Sequence, residues 1–129
     1  MTIVGHGIDL IECERIARVW QLHPERFLAR ILTDAERTYC ERMKNPVPHI
    51  AGRFAAKEAV LKALGTGWRG PISWTDIEVT NDASGQPQVT LSGPTAEIAR
   101  GRGIVSLVVS VTHTESYAAA SAIGIGEGQ

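Results

Sequence analysis

Cysteine is scarce in this chain: Cys13 and Cys40 are the two among 129 residues, and neither belongs to a C-x-x-C pair. That spacing excludes a disulfide framework or a cysteine zinc site and points to a reducing compartment. Long hydrophobic runs are lacking as well. No stretch approaches the roughly 20 apolar residues of a membrane-spanning helix. The opening MTIVGHGIDLIE has no basic leader and is interrupted by Asp9, which excludes a secretory signal. A soluble, cytoplasmic protein with no membrane partner is expected. Excess charge is missing too: 13 Lys and Arg stand against 14 Asp and Glu, a net of −1. No global basic field argues for nucleic acid. With no repeat and no linker, one domain over residues 1–129 is expected, small enough that oligomerisation helps it bury surface.

Arginine is present and unevenly placed. Arg15, Arg18, Arg26, Arg30, Arg37, Arg42 and Arg53 all fall in the first half, which hints at a local anionic partner; a solvated surface explains any one of them equally well.

The periodicities predict an α+β domain with an antiparallel sheet. Residues 2–10 read as a buried strand, and a helix follows over 12–21 until Pro24 breaks it. Thr33 and Glu36 have capping-box spacing and open a second helix to about Lys44. Pro46 and Pro48 lead into a long helix that ends at Gly65 and Gly67. Strands are expected at 72–80, 86–92, 104–112 and 117–125, the first two joined as a hairpin through Asp82–Gly85. A short helix fits 93–101, and the tail from Gly124 to Gln129 reads as frayed. Gly65-Thr66-Gly67-Trp68-Arg69-Gly70 has the G-x-G-x-x-G spacing, but it follows a helix instead of a strand, so it is no dinucleotide fingerprint.

The long helix carries the main functional signal. In PHIAGRFAAKEAVLKALG, at about 100° per residue, Ile50, Phe54, Leu61 and Leu64 share an arc with Lys57 and Glu58, and Lys62 lies at its edge. Gly52, Ala55, Ala56, Ala59 and Ala63 form the other side, where a second element can approach closely. A helix packed nearly all round is thus carrying charges where burial is expensive. The plainer alternative is a Glu58–Lys62 surface pair of small worth. Asp9, closing the first strand, is either a helix cap or one half of a two-carboxylate Mg²⁺ site with Glu58. His113, beside Thr112 at the end of an apolar strand, is either structural or an anion contact. Tyr117 reads as core packing with an outward hydroxyl.

Three segments together resemble the holo-acyl-carrier-protein synthase family, the small bacterial 4′-phosphopantetheinyl transferases. They are Gly7-Ile8-Asp9-Leu10 with Arg15-Ile16; Arg53-Phe54-Ala55-Ala56-Lys57-Glu58-Ala59 with Lys62-Ala63-Leu64-Gly65-Thr66-Gly67; and Ser110-Val111-Thr112-His113-Thr114 with Tyr117-Ala118-Ala119-Ala120. The segment from Arg26-Phe27 to Thr33 is similar as well. Thr112 stands where many members carry Ser, and the hydroxyl is kept.

The resemblance implies an antiparallel sheet packed against a long central helix, assembled as a homotrimer with active sites at subunit interfaces. It implies Mg²⁺-dependent transfer of 4′-phosphopantetheine from coenzyme A to a serine of apo acyl carrier protein, in fatty acid biosynthesis. Asp9, Glu58 and Lys62 are then the catalytic residues, and Asp9 and Glu58 the metal ligands. Coenzyme A contacts are expected from Arg53, Lys57, Lys62, Gly65, Gly67, Thr112 and His113, with Lys57 also an ion-pairing support. Arg15, Arg26 and Arg30 are expected to dock the acidic carrier protein. A non-catalytic coenzyme A or nucleotide binding module is the alternative.

Overall fold

A computed structural model describes residues 1–68 and 70–127. Strand β1 (Thr2–Glu12) opens the chain. Helices α1 (Cys13–Leu22), α2 (Pro24–Ile31), α3 (Asp34–Glu41) and α4 (Pro46–Leu64) follow. A single 3₁₀ turn at Trp74–Asp76 leads into the hairpin β2 (Ile77–Asn81) and β3 (Pro87–Leu91). Then come α5 (Gly93–Gly101), β4 (Ser106–His113) and β5 (Tyr117–Gly126). The expected α+β class with a long central helix is what the chain adopts. Among the described residues no helix is long and apolar enough to cross a membrane.

Several boundaries differ from the sequence expectations, each for a local reason. Pro24 does not merely break a helix: it opens α2, because a proline at the first helical position loses no hydrogen bond. Helix α3 ends at Glu41 and not near Lys44. Helix α4 begins at Pro46, two residues earlier than expected, again with proline in the first turn. The strand expected over 72–80 shortens to β2 because the 3₁₀ turn occupies Trp74–Asp76. The tail is not frayed through Gly126, since Gly126 pairs with Thr2; Gly128 and Gln129 lie outside the described residues.

The strands form two sheets and not one. The larger has the order β1-β5-β4, all antiparallel, and the β2-β3 hairpin stands apart. In β5 the even residues Ala118, Ala120 and Ala122 are buried under α4. In β1 it is the odd residues that face this helix. A Cβ added to Gly5 or Gly7 would collide with the carbonyls of Ala63 or Ala59, so only glycine lets β1 approach α4 this closely. Among the described residues nothing covers the opposite face of the larger sheet. Ile8, Leu10 and Val108 there are 63%, 66% and 52% exposed, a contiguous apolar surface of the kind that marks an interface.

Candidate active site

Helix α4 is buried nearly all round, as its sequence implied. From Ile50 onward, only Phe54, Glu58 and Lys62 escape full burial. They recur every four residues and make one stripe along the helix. The charges inside the apolar pattern therefore resolve into two groups. Glu58 and Lys62 reach an open face, and Lys57 does not.

Asp9 meets that stripe because β1 is pressed onto α4 through its glycines. Gly7 lies against Ala59 and Lys62, and Asp9, two residues on, points to the same side. The Lys62 ammonium lies 3.3 Å from Asp9 Oδ1 and donates to the Ile8 carbonyl at 2.9 Å. Asp9 keeps only 17% of its side chain exposed, against 52% for Lys62. Glu58 sits one turn back on the same stripe, where its Oε1 accepts the Trp68 indole N–H at 3.1 Å. Asp9 and Lys62 are thus brought into contact, with Glu58 one turn back on the same stripe. The anticipated Glu58–Lys62 surface pair is replaced by Lys62–Asp9 and Glu58–Trp68 contacts.

The donor chemistry here suits a hard divalent cation. Among the described residues no three His, Cys, Asp or Glu side chains gather to hold a metal by themselves. Two carboxylates with an open side are what Mg²⁺ takes when waters and phosphate oxygens complete its shell. Past Lys62, Gly65 ends α4 at φ 77° and Gly67 follows at φ 61°. A Cβ on Gly65 would come within 2.9 Å of Arg102 Nη1. That guanidinium and Lys62 offset the negative end of the helix dipole, which alone would repel a phosphate.

Lys57 is a correction. It was expected to touch coenzyme A, yet its side chain is 0% exposed. Its ammonium donates to Glu36 Oε1 at 2.6 Å, the Ile31 carbonyl at 2.6 Å and the Trp74 carbonyl at 3.1 Å. All three of its protons are used. It ties α4 to α2, α3 and the 3₁₀ turn, which keeps only the ion-pairing half of its expected role.

A second polar cavity, of about 160 Å³, lies near the start of α4 and is lined by Tyr39, His49, Arg53, Asn81, Gly85 and His113 among others. Arg53 is buried. Its Nη2 donates to Asn81 Oδ1 at 2.8 Å, and its guanidinium stacks 4.2 Å from the Tyr39 ring centroid. Among the described residues its buried Nε–H has no partner. His49 and His113 meet edge to face at 4.9 Å. Burial, then the charges of His113 and Arg53, hold His49 below the usual histidine range. An unpartnered guanidinium N–H beside two histidines is suited to a phosphate.

The two clusters are not one pocket within a chain. Arg53 and Lys62 stand nine residues apart on α4, about 14 Å along its axis and about 180° around it. His113 shares the α4-facing side of β4 with Val111 and Val109, whereas Thr112 points to the uncovered face of the sheet. Arg15, Arg26 and Arg30 are exposed on α1 and α2, and Arg30 lines the recess next to Glu58 with Trp68 and Trp74.

Comparison with known proteins gives this geometry its context. Residues 5–121 match the model of the 4′-phosphopantetheinyl transferase superfamily. The chain belongs to that family. It is 48% identical, over 94% of its length and 97% of the other's, to a holo-[acyl-carrier-protein] synthase of Koribacter versatilis. The fold is similar to the crystal structure of the Neisseria meningitidis holo-[acyl-carrier-protein] synthase, with a TM-score of 0.89 and 33% identity, covering 96% of this chain and 99% of that one. It is also similar to the Bacillus anthracis synthase in complex with CoA (3′,5′-ADP), with a TM-score of 0.82 and 36% identity over 98% and 100% of the two chains.

Sequence reasoning had no signal for His49, Tyr39, Asn81, Arg102 or Trp68. Tyr39, Asn81 and Arg102 come from elements remote from the motifs they support, and His49 and Trp68 act through contacts to other elements.

Proposed function

We propose that this chain transfers 4′-phosphopantetheine from coenzyme A to a serine hydroxyl of apo acyl carrier protein, releasing adenosine 3′,5′-bisphosphate. Membership of the superfamily makes it a phosphopantetheinyl transferase, and its relatives are named holo-[acyl-carrier-protein] synthases. The observation that carries the reading is the Lys62–Asp9 contact one turn from Glu58 on the open stripe of α4. Simple coenzyme binding needs no carboxylate pair beside a lysine.

Asp9 and Glu58 are the residues to hold Mg²⁺, which when bound neutralises charge on the pyrophosphate. Glu58 accepts the proton of the attacking serine. The serine oxygen bonds to the phosphorus that carries pantetheine, and the bond from that phosphorus to the bridging oxygen breaks. Lys62 turns from Asp9 toward the departing phosphate and stabilises its charge. Gly65 and Gly67 leave the backbone bare where the pyrophosphate passes. Arg53 and His113 take the 3′-phosphate, with His49 as a further contact.

Because Arg53 and Lys62 lie on opposite sides of α4, one coenzyme A cannot use both from the same chain without wrapping the helix. A homotrimer resolves this by placing Arg53, Thr112 and His113 of one subunit beside Asp9, Glu58 and Lys62 of another. The uncovered apolar face of the larger sheet supports such assembly. The exposed arginines Arg15, Arg26 and Arg30 steer an acidic carrier protein toward Glu58. The buried, unpaired cysteines fit a cytoplasmic enzyme serving fatty acid biosynthesis.

The test is the intact mass of an apo acyl carrier protein after incubation with the enzyme and coenzyme A, with Mg²⁺ or with chelator. A gain of one phosphopantetheine that needs Mg²⁺, and that is lost in a folded Glu58→Gln variant, is expected. Coenzyme A binding with no gain on any carrier would instead make the chain a binding module.

A further inference from the structure

We infer that Trp68 is a positioning residue for Glu58, its indole N–H aiming the carboxylate and a stack of three rings bracing the indole. The inference rests on the reading of Glu58 as the reacting carboxylate. Glu58 is half-buried on a helix face, and a glutamate there has three side-chain torsions to fix before it can act. The Trp68 Nε1–H donates to Glu58 Oε1 at 3.1 Å. An indole N–H donates only, so it can neither take the serine proton nor bind a cation. What it can do is fix one carboxylate oxygen and leave the other free to work.

The indole is itself held. Trp68 stacks on Trp74 with centroids 3.9 Å apart, and Trp74 stacks on Phe54 at 4.8 Å. Phe54 and Glu58 are neighbouring positions on the open stripe of α4. The chain of contacts therefore leaves the helix at Phe54 and returns to it at Glu58. Its middle member is anchored from below, because the Trp74 carbonyl accepts the buried Lys57 ammonium at 3.1 Å. Trp68 is 37% exposed, so packing into the core does not account for its place. With Trp74, Ile72, Ser73, Arg30 and Glu58 it walls an open recess of about 460 Å³. Preorganising a reacting group in this way raises kcat more than it lowers KM.

The experiment separates the N–H from the ring. Trp68→Phe keeps a stacking ring and removes the donor. It should keep its fold and its KM for coenzyme A within about twofold, while kcat falls about tenfold, the effect of losing one hydrogen bond to a charged group. In ¹H–¹⁵N spectra the three tryptophans give three indole peaks. The Trp68 peak, assigned by triple resonance, should move upfield in Glu58→Ala while the Trp20 peak stays in place. Wild-type kcat in Trp68→Phe, or a Trp68 indole peak indifferent to Glu58→Ala, overturns the inference. Full transfer by Glu58→Gln instead overturns the reading of Glu58 beneath it, whatever the spectra show.

Discussion

Lys57, on α4 beside its open stripe, and Glu36 form an ion pair 2.6 Å long with both side chains fully buried. Glu36 closes the capping box of α3, its Oε1 accepting the Thr33 N–H at 2.8 Å, while its Oε2 accepts the Val79 N–H at 2.7 Å. One carboxylate thus joins α3, α4 and β2. Burial pushes the Lys57 ammonium below its usual range, and Glu36 opposes that shift. Lysine and glutamate persist in this core because every proton and every oxygen that matters has a partner.

Removing one member should therefore be severe. We predict that Lys57→Met loses about 3–5 kcal/mol, since it strands the Glu36 charge. A fall in Tm of more than about 10 °C corresponds to this in a chain of this size. The Lys57→Met/Glu36→Leu double variant should recover part of the loss. Additive losses in the thermal-unfolding cycle would refute the coupling.

The same pair shows how far the sequence could be read. Thr33 and Glu36 announced the α3 cap by their spacing, because a capping box is a local device. The second task of Glu36 was hidden, since its partner lies 21 residues further on and no periodicity links them. The resemblance implies a coenzyme contact for Lys57, which adjoins Glu58 in the matched motif. A neighbour in sequence points about 100° away on a helix, and that rotation separates a buried strut from an open site. Asp9, Glu58 and Lys62 were legible because they belong to motifs on two long elements. His49, Asn81 and Trp68 act through contacts between elements, which only the fold defines. Helix α2 was missed because proline starts helices as readily as it ends them.

His49 offers a pH-dependent reading of the second cavity. Burial, then the charges of His113 and Arg53, lower its pKa, so the folded protein binds its proton later than the unfolded chain does. Stability contributed by neutral His49 is complete above about pH 6.5, the unfolded value, and declines as pH falls through the lower folded value. An NMR titration should place the His49 midpoint below 6.5. Adding adenosine 3′,5′-bisphosphate should raise it, because a phosphate beside the ring favours the charged form. A midpoint that stays put on addition of the nucleotide would remove His49 from the phosphate site.

Carrier docking should depend on Arg15 through charge alone. Arg15 is exposed on α1 and is not among the residues lining the second cavity. Arg15→Glu should raise the KM for acyl carrier protein about tenfold at low salt, and the difference from wild type should shrink as salt is added. The KM for coenzyme A should stay within about twofold. Kinetics between 50 and 500 mM salt decide this; a carrier KM equal to wild type at the lowest salt would take Arg15 off the docking face.

A shared site makes a sharper demand. If Arg53 of one subunit serves the Glu58 of another, two inactive variants can repair each other. Arg53→Gln lacks the phosphate contact but keeps Glu58, and Glu58→Gln has the reverse. In oligomers assembled from equal amounts, about one interface in four pairs an intact Arg53 with an intact Glu58. Co-expressed and co-purified, the mixture should regain about a quarter of wild-type transfer, whereas either variant alone stays near background. Were both groups drawn from the same chain, no mixed oligomer would hold a complete site and activity would not return. The nine residues that set Arg53 and Lys62 on opposite sides of α4 lead us to expect recovery.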